Sequence, residues 1–100
     1  MYKPLPDSVT IKNSVIHGLG LFSKVFIKEK TNLGITHVRD DNFEDSYIRT
    51  PLGGFFNHSA DQPNCKVFKD GRYLFLITDR DIQPGEELTA TYTLYNPEEM

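Results

Sequence analysis

Three short segments hold residue types that can do chemistry. His17-Gly18-Leu19-Gly20-Leu21-Phe22 places two glycines one residue apart. That spacing lets a backbone turn tightly and approach a ligand without side-chain collision. It equally suits a plain hairpin turn. Phe55-Phe56-Asn57-His58-Ser59, running on to Pro63-Asn64-Cys65, joins two rings to three polar side chains. Asn, His and Ser can hold an irregular loop by bonding its backbone groups. Two phenylalanines just ahead would anchor such a loop in a core. Pro84-Gly85-Glu86-Glu87-Leu88-Thr89-Ala90-Thr91-Tyr92 is a turn followed by an alternating stretch that ends in a phenol.

Other chemistries find less support. His17, His37 and His58 are scattered, and no second His or Cys stands at metal-ligand spacing, so no metal is expected. Cys65 cannot form an intrachain disulfide alone, which favours a reducing, cytoplasmic setting. A Cys65–His58 nucleophilic pair remains open, but no orienting third group accompanies it. The net charge of −3 argues against nucleic acid as the main partner. Residues 51–100 carry eight acids against four bases, so this half could attract a basic substrate segment or simply be a solvated surface. No apolar run approaches the roughly 20 residues of a membrane helix, and residues 1–8 hold no signal core.

The elements that must position these segments read as short strands. One domain spanning residues 1–100 is expected. Alternation places strands at residues 8–13, 21–26 and 32–38. Residues 40–47 are acidic and predict a loop or one helical turn capped by Asp40 or Asp41. Residues 65–69 and 72–78 flank Asp70-Gly71, a hairpin signal in which both turn positions can take positive φ. Residues 87–92 form the last expected strand. No segment sustains a 3.6-residue period, so the chain reads as mostly β, with antiparallel strands and no nucleotide-binding βαβ layout.

In this order the three segments resemble the SET domain family of protein methyltransferases. Gly18-Leu19-Gly20-Leu21-Phe22 is similar to its early glycine motif. Asn57-His58-Ser59 with Pro63-Asn64-Cys65 is similar to its central signature. Gly85-Glu86-Glu87-Leu88-Thr89 with Tyr92 is similar to its final signature and catalytic tyrosine. The resemblance runs from about residue 9 to residue 95. It implies small twisted antiparallel sheets and a knot-like C-terminal threading that brings Tyr92 beside Asn57 and His58. It also implies a cofactor, S-adenosylmethionine, held by His17, Gly18, Leu19, Gly20, Asn57, His58 and Tyr92.

The activity so implied is methyl transfer to a lysine of a histone or another basic protein, with Tyr92 as the catalytic residue. The alternatives are a SET-like binding module without catalysis and methylation of something other than lysine. The pattern departs from the family at several places. Gln62 adds a residue to the central signature. Gly54 stands where an arginine is common, Val67 and Leu94 stand where aromatics are common, and the stretch between Val38 and Phe55 is short. Tyr47, Phe56, Phe68 and Tyr95 are therefore the candidates for the substrate channel. Phe43 and residues 96–100 are further material to close it, and a second copy of the chain, as a homodimer, could do the same. A bare domain of this kind suits a bacterial cytoplasm or, for a viral protein, the host cytoplasm or nucleus.

Overall fold

The computed structural model describes residues 5–16, 18–42, 47–59 and 61–91. Eight strands and one short helix follow in the order β1 (Val9–Asn13), β2 (Leu19–Ser23), β3 (Asn32–Arg39), β4 (Tyr47–Arg49), α1 (Pro51–Phe55), β5 (Asn57–His58), β6 (Cys65–Asp70), β7 (Tyr73–Thr78) and β8 (Glu87–Ala90). Hydrogen bonds join them in the order β1-β2-β8-β6-β7-β3-β4, with β5 paired to β8. The mostly-β expectation holds. The ladders are antiparallel except where β5 and β6 meet β8, which run parallel.

Pairing moved several boundaries from where alternation alone put them. β2 is fixed by its register on β1, from Val9 opposite Ser23 to Asn13 opposite Leu19. It therefore begins at Leu19 and stops at Ser23, whose hydroxyl donates to the Gln83 carbonyl at 2.6 Å. Val25 and Phe26, apolar but beyond the strand, are exposed. The hairpin turn is shifted by one residue. Asp70 pairs with Tyr73, so the loop is Gly71-Arg72, and only Gly71 takes a positive φ, at 63°. A positive φ at the first loop position alone is the pattern of a type II′ rather than a type I′ turn. Asp40 caps a local turn by accepting from the Asn42 amide at 2.9 Å. The rest of the expected helical turn there lies outside the described residues.

β4 and α1 went unread in the sequence. α1 is too short to show a period, yet its start signals were present. Thr50 is the N-cap, its hydroxyl accepting from the Gly53 amide at 3.2 Å, and Pro51 sits in the first turn. Thr50 also donates to the Ile35 carbonyl at 2.6 Å, and its amide donates to the Thr36 carbonyl at 2.8 Å. These bonds fasten the helix to β3. Gly53 faces the Thr36 carbonyl so closely that a Cβ there would collide with it. The core gathers Val9, Leu21, Ile27, Leu33, Leu52, Phe56, Leu76, Ile82 and Leu88. Among the described residues no helix is long and apolar enough to cross a membrane.

Candidate functional site

The site forms where β5 lies parallel to β8. Asn57 stands opposite Thr89 and His58 opposite Ala90. Two phenylalanines precede β5, as the sequence suggested, and Phe56 enters the core at 2% exposure. With its ring locked beneath the strand, the following peptide is held against β8 by the Ser59 amide, which donates to the Ala90 carbonyl at 3.2 Å. The Thr91 hydroxyl returns to the Ser59 carbonyl at 3.2 Å. Asn64 clamps the same strand from the other side. Its oxygen accepts from the Thr89 amide at 2.9 Å and its nitrogen donates to the Glu87 carbonyl at 2.8 Å.

β2 pairs with β8 along the same edge that β5 meets, opposite β6, with Phe22 facing Glu87 and Leu21 facing Leu88. This brings the glycine segment to the same place. The β1–β2 loop closes through the Ser14 amide, which donates to the Gly18 carbonyl at 2.8 Å. Gly18 takes a φ of 47°, and space above it is open. Gly20 has no such room, since a Cβ there would strike the Glu87 carboxylate and approach the Ser14 side chain. Here the absence of a side chain lets the carboxylate lie against the strand.

Glu87 is the hub. Its Oε2 accepts from Asn57 Nδ2 at 2.7 Å, and the same nitrogen donates to the Leu19 carbonyl at 3.3 Å. The Ser14 hydroxyl points at both carboxylate oxygens, at 2.7 and 2.8 Å. One carboxylate thus ties the glycine segment to the Asn-His segment. Glu87, Ser14 and Asn64 have no role assigned by the sequence. Their motifs are visible there, but which side chains meet depends on contacts as far as 73 residues apart.

The expected site residues divide as follows. Gly18, Leu19, Gly20 and Asn57 are brought together, and His58 lies beside them with its side chain exposed. His17, Tyr92, Tyr95 and Phe43 lie outside the described residues, as does the segment expected to thread beneath the loop. The described channel candidates are not gathered. Phe56 is core, which removes it from any wall open to a ligand. Phe68 is 51% exposed on β6 and lies opposite Phe75 of β7. Tyr47 stands at the other end of the strand order, its ring edge-on to His37 with centroids 6.1 Å apart. The Cys65–His58 nucleophile is ruled out by burial. Cys65 is 1% exposed, and desolvation, with Asp79 adding to it, pushes its thiol up to about 12.

Chemically the cluster is rich in acceptors. A carboxylate, a backbone carbonyl and a buried amide lie beside an open glycine turn whose neighbours Ile16 and Leu19 are exposed apolar side chains. That set of acceptors fits a ligand with an ammonium group at one end and an apolar ring at the other. Among the described residues no group of three His, Cys, Asp or Glu side chains could hold a metal. A separate hollow of about 400 Å³, lined by Leu5, Pro6, Asp7, Leu33, Gly34, Ile35 and Leu52, shares no residue with this cluster.

Known proteins are similar to this chain in sequence and fold. Human histone-lysine N-methyltransferase SMYD3 is 48% identical over 42 residues, which is 42% of this chain and 10% of that protein. Histone-lysine N-methyltransferase set9 of Schizosaccharomyces pombe is 26% identical over 91 residues, 87% of this chain and 20% of that one. The chain therefore spans a tenth to a fifth of the length of these curated relatives. The methyltransferase domain of human PR domain-containing protein 2 superposes with a TM-score of 0.70 at 17% identity, covering 86% of this chain and 77% of that structure. The SET domain of the RIZ1 tumor suppressor gives 0.68 at 17% identity, covering 97% and 76%. At such identities these structures speak for the fold. The SET domain family model matches residues 35–93, from β3 through the final signature, and the chain belongs to that family.

Proposed function

We propose that this chain is a protein-lysine methyltransferase that uses S-adenosylmethionine. The observation that carries this reading is the parallel pairing of β5 with β8. It sets Asn57-His58 beside the strand that leads to Tyr92 and, through Glu87, beside the glycine turn. Gly18, Leu19 and Gly20 would receive the amino-acid end of the cofactor, Asn57 would accept from its ammonium, and the His58 backbone would meet its adenine, with His17 nearby. The cofactor supplies an electrophilic methyl group on a sulfonium.

Methyl transfer forms a carbon–nitrogen bond on the lysine amine as the carbon–sulfur bond breaks, and the amine's surplus proton goes to solvent. The protein must align the two atoms and keep the amine neutral. Desolvation lowers a lysine pKa, so a walled site favours the reactive form. Tyr92, one residue beyond the anchored Thr91, is the group we assign to orient the amine and the methyl through its hydroxyl. With an ordinary pKa of about 10 it is a poor base at neutral pH.

The substrate we propose is a histone or other basic protein. A second copy of the chain is the proposed cover for the open side of the lysine site. Light scattering over a dilution series, beside the activity assay, checks this, and a monomer of constant specific activity contradicts it. The single buried thiol fits a reducing compartment, cytoplasm or nucleus.

The test is incubation with labelled cofactor and a mixture of basic proteins, followed by mass spectrometry. Methyl gain on lysine that vanishes in Tyr92→Phe is expected. The initial rate should also rise between about pH 7 and 10, because a free lysine titrates near 10.4. A rate that falls above neutrality in folded protein contradicts this and points to a histidine such as His58. The dispersal of Phe56 and Phe68 favours a second reading, a cofactor- or protein-binding module without catalysis. Binding without any methyl transfer would select it.

A further inference from the structure

We propose that Glu87 is a positioning residue that sets which way the Asn57 side-chain amide points, and that this setting creates the acceptor for a cofactor's ammonium group. The inference rests on the methyltransferase reading and adds to it the residue that orients the binding group. Asn57 Nδ2 meets two acceptors at once, Glu87 Oε2 at 2.7 Å and the Leu19 carbonyl at 3.3 Å. Reversing the amide would turn its oxygen onto a carboxylate and a carbonyl, three acceptors with no proton among them. The amide is therefore locked with Nδ2 toward Glu87 and Oδ1 away from it. A bond from an amide to an ionised acceptor is shorter and stronger than a neutral one, which makes the lock firm.

The carboxylate is itself held. The Ser14 hydroxyl approaches both of its oxygens, and that hydroxyl in turn accepts from the Ile16 amide at 2.9 Å. Gly20, lacking a Cβ, leaves the space in which the carboxylate lies. Asn64 fixes the backbone at Glu87 and Thr89. The chain thus runs from a fixed backbone, through a fixed carboxylate, to one orientation of the amide of Asn57, a residue that is 8% exposed.

Glu87→Gln tests this, because glutamine keeps the volume but carries an NH2 that can satisfy a reversed Asn57 amide. Both S-adenosylmethionine and S-adenosylhomocysteine carry the same ammonium. Calorimetry should show both weakened alike, by about tenfold. Without any cofactor, the Asn57 side-chain amide resonances in nitrogen-edited NMR should lose their hydrogen-bonded shift in the variant. Should Glu87→Gln fail to fold, Ser14→Ala releases the carboxylate without removing it. A smaller loss of affinity, about threefold, is then expected, and no loss overturns the inference.

If the unaltered protein binds neither compound, the methyltransferase reading fails and takes this inference with it. If it binds both, and Glu87→Gln leaves affinity within twofold and the amide resonances unmoved, this inference alone fails. A loss confined to S-adenosylmethionine also overturns it, since the carboxylate would then be acting on the sulfonium charge through space.

Discussion

The junction of β2, β5 and β8 and the outer sheet of β3, β4, β6 and β7 are held together differently. At the junction the joining is done by side chains. Ser14, Asn57, Asn64 and Glu87 bond across 23 to 73 positions of sequence. In the outer sheet β6 and β7 pair along six residues about a two-residue turn, joined by their backbone ladder. Its outward side chains, among them Ile48, Phe68 and Tyr73, are exposed. The junction concentrates buried polar groups that must all be satisfied, and among the described residues no buried side-chain nitrogen or oxygen lacks a partner. Such groups are costly to disturb. The outer sheet carries the strands but leaves its surface tolerant.

Substitutions should separate the two regions. Asn64→Leu would strip the Thr89 amide and the Glu87 carbonyl of their shared partner at once. Chemical denaturation should show a loss of about 2–5 kcal/mol. A loss under 0.5 kcal/mol would mean that the junction is not held by its polar clamps.

Gly53→Ala probes the seam between α1 and β3, where the new methyl meets the Thr36 carbonyl. About 1–3 kcal/mol should be lost. Its neighbour Gly54 has only the Arg49 side chain, 3.7 Å from where a Cβ would lie. Gly54→Ala should therefore be neutral or gain up to about 1 kcal/mol through helix propensity. Equal effects at the two glycines would contradict the close contact at Gly53.

The Arg80–Glu86 pair, with 2.8 Å between Nη2 and Oε1, lies at the rim. The hydrogen bond from Arg80, opposed by burial and helped by the Gln83 amide and the Arg80 charge, holds the Glu86 carboxyl below the usual range. A carboxyl lowered in the folded state adds stability above its unfolded pKa, and that stability is lost as pH falls through the folded value. The loss should therefore come below about pH 4.3. Arg80 is half exposed, so Arg80→Gln should cost under about 1 kcal/mol at pH 7 and flatten that acid limb of the stability curve. An acid limb left unchanged would show that the pair contributes nothing. Smallest of all, Phe68→Ser on the outer face should stay within about 0.5 kcal/mol. A larger loss would mean that the face is covered in solution.

The same contrast explains what the sequence made legible. β1, β3, β6, β7 and most of β8 were readable because alternation and glycine turns are local signals. The three motifs were readable as a set. The end of β2 was misplaced, because Val25 and Phe26 look like strand residues until pairing with β1 runs out at Ser23. The turn at Gly71 was off by one, because only the cross-strand register decides which two residues form the loop. Glu87 was quoted within a motif, yet its meeting with Asn57 and Ser14 is a product of topology that no spacing announces. Phe56 and Phe68 were expected near one channel because both are aromatic and near the central signature. The core claimed the first, and the outward face of β6 the second.

The most direct test of the central claim, that the three motifs form one cofactor site, is a calorimetric titration of the purified chain with S-adenosylmethionine, run with and without a chelator. Saturable one-site binding that survives the chelator and weakens by about 1–3 kcal/mol in Asn57→Ala is the predicted result. No binding at millimolar cofactor, or binding that Asn57→Ala leaves untouched, would contradict it.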